Sequence, residues 1–235
     1  MQQYFMDQHL ALNQTIQLDK DIVFHLKNVL KSKPNTTIRL VNYEGEAFFG
    51  VVNQTFEKAL LVKAIEQPID CDVDITLIMA LIKREKLELV IAKATELGVS
   101  KIILLETSRC VVSFSKKDID KKLSRFKVIA KEAAEVSHRL SVPVITGPIS
   151  INQLHEIQSN HKVVLYEKTD ASINLPTVNK GNSISLIVGP EGGFTSEEIE
   201  RIESLGFSQA SLTHRILRAE TAALMACALV GGCNG

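Results

Sequence analysis

Two folded parts are predicted for this chain: a small β-barrel over residues 1–70, and an α/β domain with a mostly parallel sheet over residues 71–235. Three observations predict them. Short β-prone runs separated by turn residues crowd the first part. In the second, buried-strand runs alternate with helical patterns, as in a parallel sheet covered by helices. Between the two, "EQPIDCDVD" (66–74) sets a proline inside an acid cluster and reads as a linker.

In the first part, "TTIRLVN" (36–42), "EAFFGVV" (46–52) and "ALLVKAI" (59–65) carry the β-branched and aromatic residues that suit a pleated surface. One helix is predicted before them, from Asp21 to Lys31, with Ile22, Leu26, Val29 and Leu30 on one face. The second part opens with "ITLIMALI" (75–82), a buried strand. "REKLELVIAKATELG" (84–98) follows as a helix, with Leu87, Ile91, Ala94 and Leu97 at helical spacing and Gly98 placed to end it. "KIILLE" (101–106) is the next strand, and a long helical pattern covers Lys116 to Arg139. Strands are then predicted at "KVVLYE" (162–167), "SISLIVG" (183–189) and "ASL" (210–212), with a helix between the last two.

Composition narrows the function classes. The chain has 235 residues, 45% of them hydrophobic, enough for one large or two small domains. No run of about 18 apolar residues occurs, and "MQQYFMDQHL" lacks the apolar core of a secretion signal. A cytoplasmic location with no membrane partner is expected. Cys71, Cys110, Cys227 and Cys233 form no CxxC pair, and none of the six histidines sits in an HExxH arrangement. Reduced packing cysteines and no metal site are expected. The net charge of zero conceals an asymmetry: Lys83 to Arg139 holds 14 Lys and Arg against 8 Asp and Glu. That surplus marks either a local phosphate footprint or a solvated helix face.

The most informative stretch is "SLIVGPEGGFTSEEIERIESLG" (185–206). An apolar strand stops at Gly189. Gly192 and Gly193 permit positive φ and close approach of backbone to a ligand. Thr195 with Glu198 three residues on is a capping box, and Ile199, Ile202 and Leu205 continue along a helical face. A strand–loop–helix of this kind points backbone N–H groups into the crevice at strand C-termini. The loop is neither GxxxxGK[ST] nor GxGxxG. Glu191 repels phosphate, and the loop has no lysine to offset it. A neutral or cationic ligand fits better, and S-adenosylmethionine is cationic and carries no phosphate. A second stretch, "SLTHRILRAETAALMACALV" (211–230), enters a helix that is apolar nearly all round, and such a helix is expected in a core or a subunit interface. Arg215, Arg218, Glu220 and Thr221 stand at its start.

Together "LIVGPEGGFTSEEI" and "LTHRILRAETAAL" resemble the SPOUT superfamily of methyltransferases. Within it the chain is similar to the RsmE family, which methylates N3 of a uridine in bacterial 16S rRNA. "KATELGVSKI" (93–102), "SRCVVSF" (108–114) and "KEAAEVSHRLSVP" (131–143) match that family's pattern as well. The resemblance implies a knotted α/β domain, a PUA-like RNA-binding barrel at residues 1–70, a homodimer and the small ribosomal subunit as partner. It implies that S-adenosyl-L-methionine lies in three loops, carried here by Tyr166 and Glu167, by Gly189, Pro190, Glu191, Gly192 and Gly193, and by Leu212, Ile216, Leu217, Arg218 and Thr221. Departures fall in the N-terminal part: Gln3 stands where the family commonly has arginine, Lys31 ends a "VLK" in place of "VLR", and the usual Gly-Asp is absent around Pro34 and Asn35.

Uridine N3 becomes a nucleophile only as its proton leaves. A fixed cation near O2 or O4 favours the anion, and Arg218 is the candidate. Glu220 either orients Arg218 or accepts the proton. Phosphate contacts are assigned to Lys31, Lys33, Arg84, Lys116, Lys117, Lys121, Lys122 and Arg139. Two rivals stand beside this reading. A nucleotide-binding enzyme needs a phosphate cradle that the sequence lacks, and a silent RNA-binding relative would show degraded glycine or RILR motifs, which are intact here.

Overall fold

The computed structural model describes residues 1–66, 72–115, 117–169 and 175–231. The centre of the predicted linker and Lys116 lie outside the described residues. The chain divides into two compact units: residues 1–70 with 134–141, and residues 71–133 with 142–235.

The first unit holds a curled five-stranded sheet. In chain order its elements are β1 (Gln3–Phe5), β2 (Thr15–Gln17), α1 (Lys20–Phe24), β3 (Thr37–Val41), β4 (Ala47–Val52) and β5 (Lys58–Ile65). Their order across the sheet is β1-β3-β4-β5-β2, antiparallel except for β1 with β3. The three predicted strands are present; β1 and β2, three residues each, are too short to show a period. Tyr4, Ile38, Leu40, Phe48 and Leu61 form one core with Ile22 and Leu26 of the helical segment. That segment departs from the predicted helix. After Phe24 it widens into a π-turn, His25–Val29, in which the Leu30 N–H donates to the His25 carbonyl at 2.9 Å. Lys31 at φ +48° ends it, and Val29 and Leu30 face outward.

Residues 134–141 cover the other side of β1. Gln3 Nε2 donates to the Arg139 carbonyl at 2.7 Å, and the Phe5 N–H donates to Glu135 Oε1 at 3.4 Å. This overturns the assignment of Arg139 to phosphate contact: it is only 4% exposed, since its segment packs against the sheet. The same packing accounts for Gln3. It is fully buried and pairs in register with Arg39, itself buried, with burial pushing the Arg39 guanidinium's pKa down. An arginine at position 3 would set a second charge opposite the first in a dry layer, which is costly. Glutamine avoids it.

The second unit is the α/β layer. It runs β6 (Asp74–Ala80), α2 (Arg84–Glu96), β7 (Lys101–Glu106), α3 (Ile119–Val136), β8 (Val144–Ser150), β9 (His161–Leu165), β10 (Ser183–Val188), α4 (Ser196–Ser204), β11 (Ser208–Ala210) and α5 (Ala219–Gly231). The six strands are all parallel, in the order β11-β9-β10-β6-β7-β8. Only β8 went unpredicted. Gly147 and Pro148 interrupt its pattern, and an edge strand tolerates them. Both faces of the sheet are buried, as the continuous apolar runs require. Ile75, Leu77 and Met79 pack with Leu87 and Ile91 of α2 and with Ala223, Ala226 and Cys227 of α5. Ile78, Ile103, Val164 and Ile187 pack on the opposite side with Phe194, Ile199, Ile202 and Phe207.

Helix α5 is buried on one face only within this chain. Its hydrophobicity on all sides predicted burial in a core or a subunit interface. The buried face holds Ala219, Ala223, Ala226, Cys227 and Val230. Leu224 and Met225 are half-buried, and Ala228 and Leu229 are exposed.

Candidate active site

The chain winds β6, β7 and β8 out to one side, then returns to build β9, β10 and β11 on the other. A crevice opens at the C-terminal ends of strands where connections part in this way. Here it is a cavity of about 710 Å³, within the range of ligand pockets. Three loops wall it: Tyr166 and Glu167 after β9, Gly189 to Phe194 after β10, and Ser211 to Arg218 after β11.

Of the residues assigned to the donor, Tyr166, Glu167, Gly189, Pro190, Glu191, Gly192, Gly193, Leu212, Ile216, Leu217 and Arg218 all line this one cavity. Thr221 does not; it lies further along α5, exposed. Glu220 is also absent from the wall but reaches it through an ion pair described below.

Each glycine of the loop has a different reason to be glycine. Gly193 sits at φ +66°, and its N–H closes a turn onto the Pro190 carbonyl at 2.9 Å. Of Gly192 and Gly193, which permit positive φ, only Gly193 uses it. A β-carbon on Gly189 would lie 2.9 Å from the ring of Phe194, and one on Gly192 would lie 3.1 Å from Cβ of Arg109. Arg109 braces the loop: its Nη1 donates to the carbonyls of Gly192 (3.0 Å) and Phe194 (3.2 Å). Beyond the loop, the capping box forms as predicted. Thr195 accepts from the Glu198 N–H at 3.1 Å, and Glu198 accepts from the Thr195 N–H at 2.9 Å and from the Ser108 N–H at 2.8 Å.

The electrostatics differ from expectation at one residue. The loop has no lysine of its own, but α2 delivers one. Lys86 Nζ lies 3.6 Å from Glu191 Oε1 and 3.5 Å from Glu220 Oε2, and it lines the cavity. Glu191 also accepts from the Lys83 N–H, at 3.5 Å, where an acid complements the N-terminus of α2. Glu220 therefore pairs with Lys86 and not with Arg218. Residues two apart at a helix start point in different directions. The Arg218 side chain is exposed at the cavity wall and makes no hydrogen bond or ion pair among the described residues.

The basic residues assigned to RNA have different surroundings. Lys31 and Lys33 are exposed on the first unit. On the second, Lys117 and Lys121 are exposed, Arg84 pairs with Glu88 at 2.8 Å, and Lys122 Nζ lies 3.9 Å above the ring of Phe114. Among the described residues the one cluster with metal-ligand proximity, His9, Glu44 and Glu46, is exposed on the first unit. No helix among the described residues is long and apolar enough to cross a membrane.

Comparison with known proteins places these features. The model of the RNA methyltransferase domain family matches residues 70–231. Ribosomal RNA small subunit methyltransferase E of Rickettsia conorii is 38% identical, over 96% of this chain and 93% of its own. The protein of that name from Bacillus subtilis is 32% identical, over 96% of this chain and 94% of its own. Among solved structures, the ribosomal RNA small subunit methyltransferase E of Neisseria gonorrhoeae, bound to S-adenosyl methionine, superposes with a TM-score of 0.87 at 30% identity, covering 97% of this chain and 96% of that one.

Proposed function

The chain belongs to the RNA methyltransferase family, and we propose that within it this protein methylates N3 of one uridine in 16S rRNA. As a member of this family it is an S-adenosylmethionine-dependent methyltransferase acting on small-subunit ribosomal RNA. The observation that carries the finer reading is the convergence of three strand-end loops, with Arg218 unpaired among the described residues, on one cavity.

The cavity suits the donor. Its walls join backbone of three loops to apolar side chains of Leu165, Val188, Leu212 and Leu217, and the described residues form no phosphate cradle there. Tyr166, Gly189 to Gly193 and Leu212 to Leu217 hold the donor in this reading. When bound, S-adenosylmethionine supplies an electrophilic methyl group on a sulfonium. Arg218 stands ready for the target base: its free guanidinium stabilises negative charge developing on O2 or O4 as the N3 proton leaves. Glu220, tied to Lys86, does not orient Arg218; it remains the carboxylate to test as proton acceptor. The exposed Lys31, Lys33, Lys117 and Lys121 hold phosphates, and the curled sheet of the first unit serves as the RNA-binding module. The outward face of α5, with Leu224 and Met225, forms a homodimer interface.

The test is direct. Small subunits from cells lacking the gene are incubated with the purified protein and methyl-labelled donor, and 16S rRNA is digested and sequenced by mass spectrometry. One N3-methyluridine is expected, present in wild-type rRNA and absent from the deletion strain. Labelling at another base, or at another atom of uridine, overturns the proposal.

A further inference from the structure

Lys86 is a charged residue of the cavity that neither motif contains, supplied by α2. Its ammonium is held between two carboxylates, Glu191 at 3.6 Å and Glu220 at 3.5 Å, and its side chain is 31% exposed on the cavity side of α2. Glu220 Oε2 is buried and has no hydrogen-bond partner among the described residues, so this ion pair is its compensation. Two acids share one cation, and the group carries a formal charge of −1. Glu191 is anchored besides by the Lys83 N–H, so it does not depend on Lys86 alone for its place.

We propose that Lys86 sets the balance between donor and spent product in this cavity, by cancelling part of the negative charge that would otherwise favour a cationic ligand. The proposal rests on the reading of the cavity as the donor site. S-adenosylmethionine and S-adenosylhomocysteine differ by one methyl group and one positive charge on sulfur. Any cation in the cavity therefore disfavours the first relative to the second, and any anion does the reverse, whatever the pose. Without Lys86, Glu191 in the wall and Glu220 behind it would stand uncompensated and hold the sulfonium too well in the ground state. Binding that is not strengthened in the transition state lowers KM without raising the rate of the chemical step. With Lys86 in place the preference is moderated, and Glu191 and Glu220 share one ammonium. Lys86 touches no reacting atom in this account; it is a residue that sets selectivity through the charge of the wall.

The experiment is titration calorimetry of the full chain with S-adenosylmethionine and with S-adenosylhomocysteine, at low and moderate salt. Lys86→Met is expected to raise the preference for the cationic ligand by about three- to tenfold, the size of a unit charge acting across a solvated cavity. Glu220→Gln is expected to lower it by a similar factor, and Lys86→Arg to leave it near the native value. Added salt should shrink both shifts. A purely structural role would weaken both ligands together in Lys86→Met and leave their ratio unchanged, and that result overturns the proposal. So does a Glu220→Gln ratio that moves in the same direction as that of Lys86→Met. If the native protein binds neither ligand, the donor-site reading fails first and takes this assignment with it.

Discussion

Gly189→Ala tests the glycine loop at its tightest point. The added β-carbon would lie 2.9, 3.1 and 3.3 Å from three consecutive atoms of the Phe194 ring. The nearest is about 0.6 Å inside the optimal separation of two carbons. A flexible chain end would step aside, but this ring is nearly fully buried among Ile78, Val164, Ile187, Ile199, Ile202 and Phe207. Either the ring moves into a packed layer or the loop moves away from it. Overpacking of this kind costs about 1–3 kcal/mol, which in a chain of this size lowers Tm by roughly 2–10 °C. Because Gly189 and Phe194 bracket the loop proposed to hold the donor, the displacement falls on Pro190 to Gly193, and affinity for S-adenosylhomocysteine should drop about tenfold or more. Calorimetry reads the affinity and differential scanning calorimetry reads the stability. The double variant Gly189→Ala/Phe194→Leu trims the ring and should recover most of the binding while retaining some loss of stability. Native affinity in Gly189→Ala would refute the reasoning, since it would mean that this loop does not form the ligand wall. Recovery absent from the double variant would refute the proposed clash with the ring.

Three further outcomes are expected. Glu88 accepts from Arg125 at 2.6 Å and from Arg84 at 2.8 Å, and the Arg125 hydrogen bond foremost holds its carboxyl down at about 2. A carboxyl depressed in the fold adds stability above its unfolded value of roughly 4.3 and loses it as pH falls through the folded value; Glu88→Gln should therefore cost about 1 kcal/mol in urea melts at neutral pH, with the difference from native fading between about pH 4 and 2, and a pH-independent difference would contradict this. Leu224→Glu, on the outward side of α5, should give monomers in light scattering with the fold intact by circular dichroism, and an unaltered dimer would exclude that face. Lys121→Gln should reduce the salt slope of rRNA binding by nearly one unit if it holds a phosphate and leave calorimetric donor affinity unchanged, whereas Arg218→Ala should slow methylation at least a hundredfold with little change in slope.

What the sequence determined by itself was local. Strands buried on both faces read as unbroken apolar runs, so β6, β7, β9 and β10 were legible, and so was α2, whose buried residues recur at helical spacing. The capping box at Thr195 and Glu198 was legible because both partners lie within one turn. Two of the three loops proposed to hold the donor were legible because their glycines, proline and charged residues stand together in two motifs, and eleven of the assigned residues meet at one cavity. The tertiary structure decided whatever depends on partners far along the chain. Arg109 finds the Gly192 carbonyl 83 residues away, and Lys86 finds Glu191 and Glu220 across the strand ends. No period or spacing encodes such a pairing, because an ion pair needs only proximity and the fold supplies it. Burial of Arg139 and the single buried face of α5 were decided in the same way. Charge and hydrophobicity are properties of a residue, but exposure belongs to the surface that packs against it, and that surface comes from elsewhere in the chain.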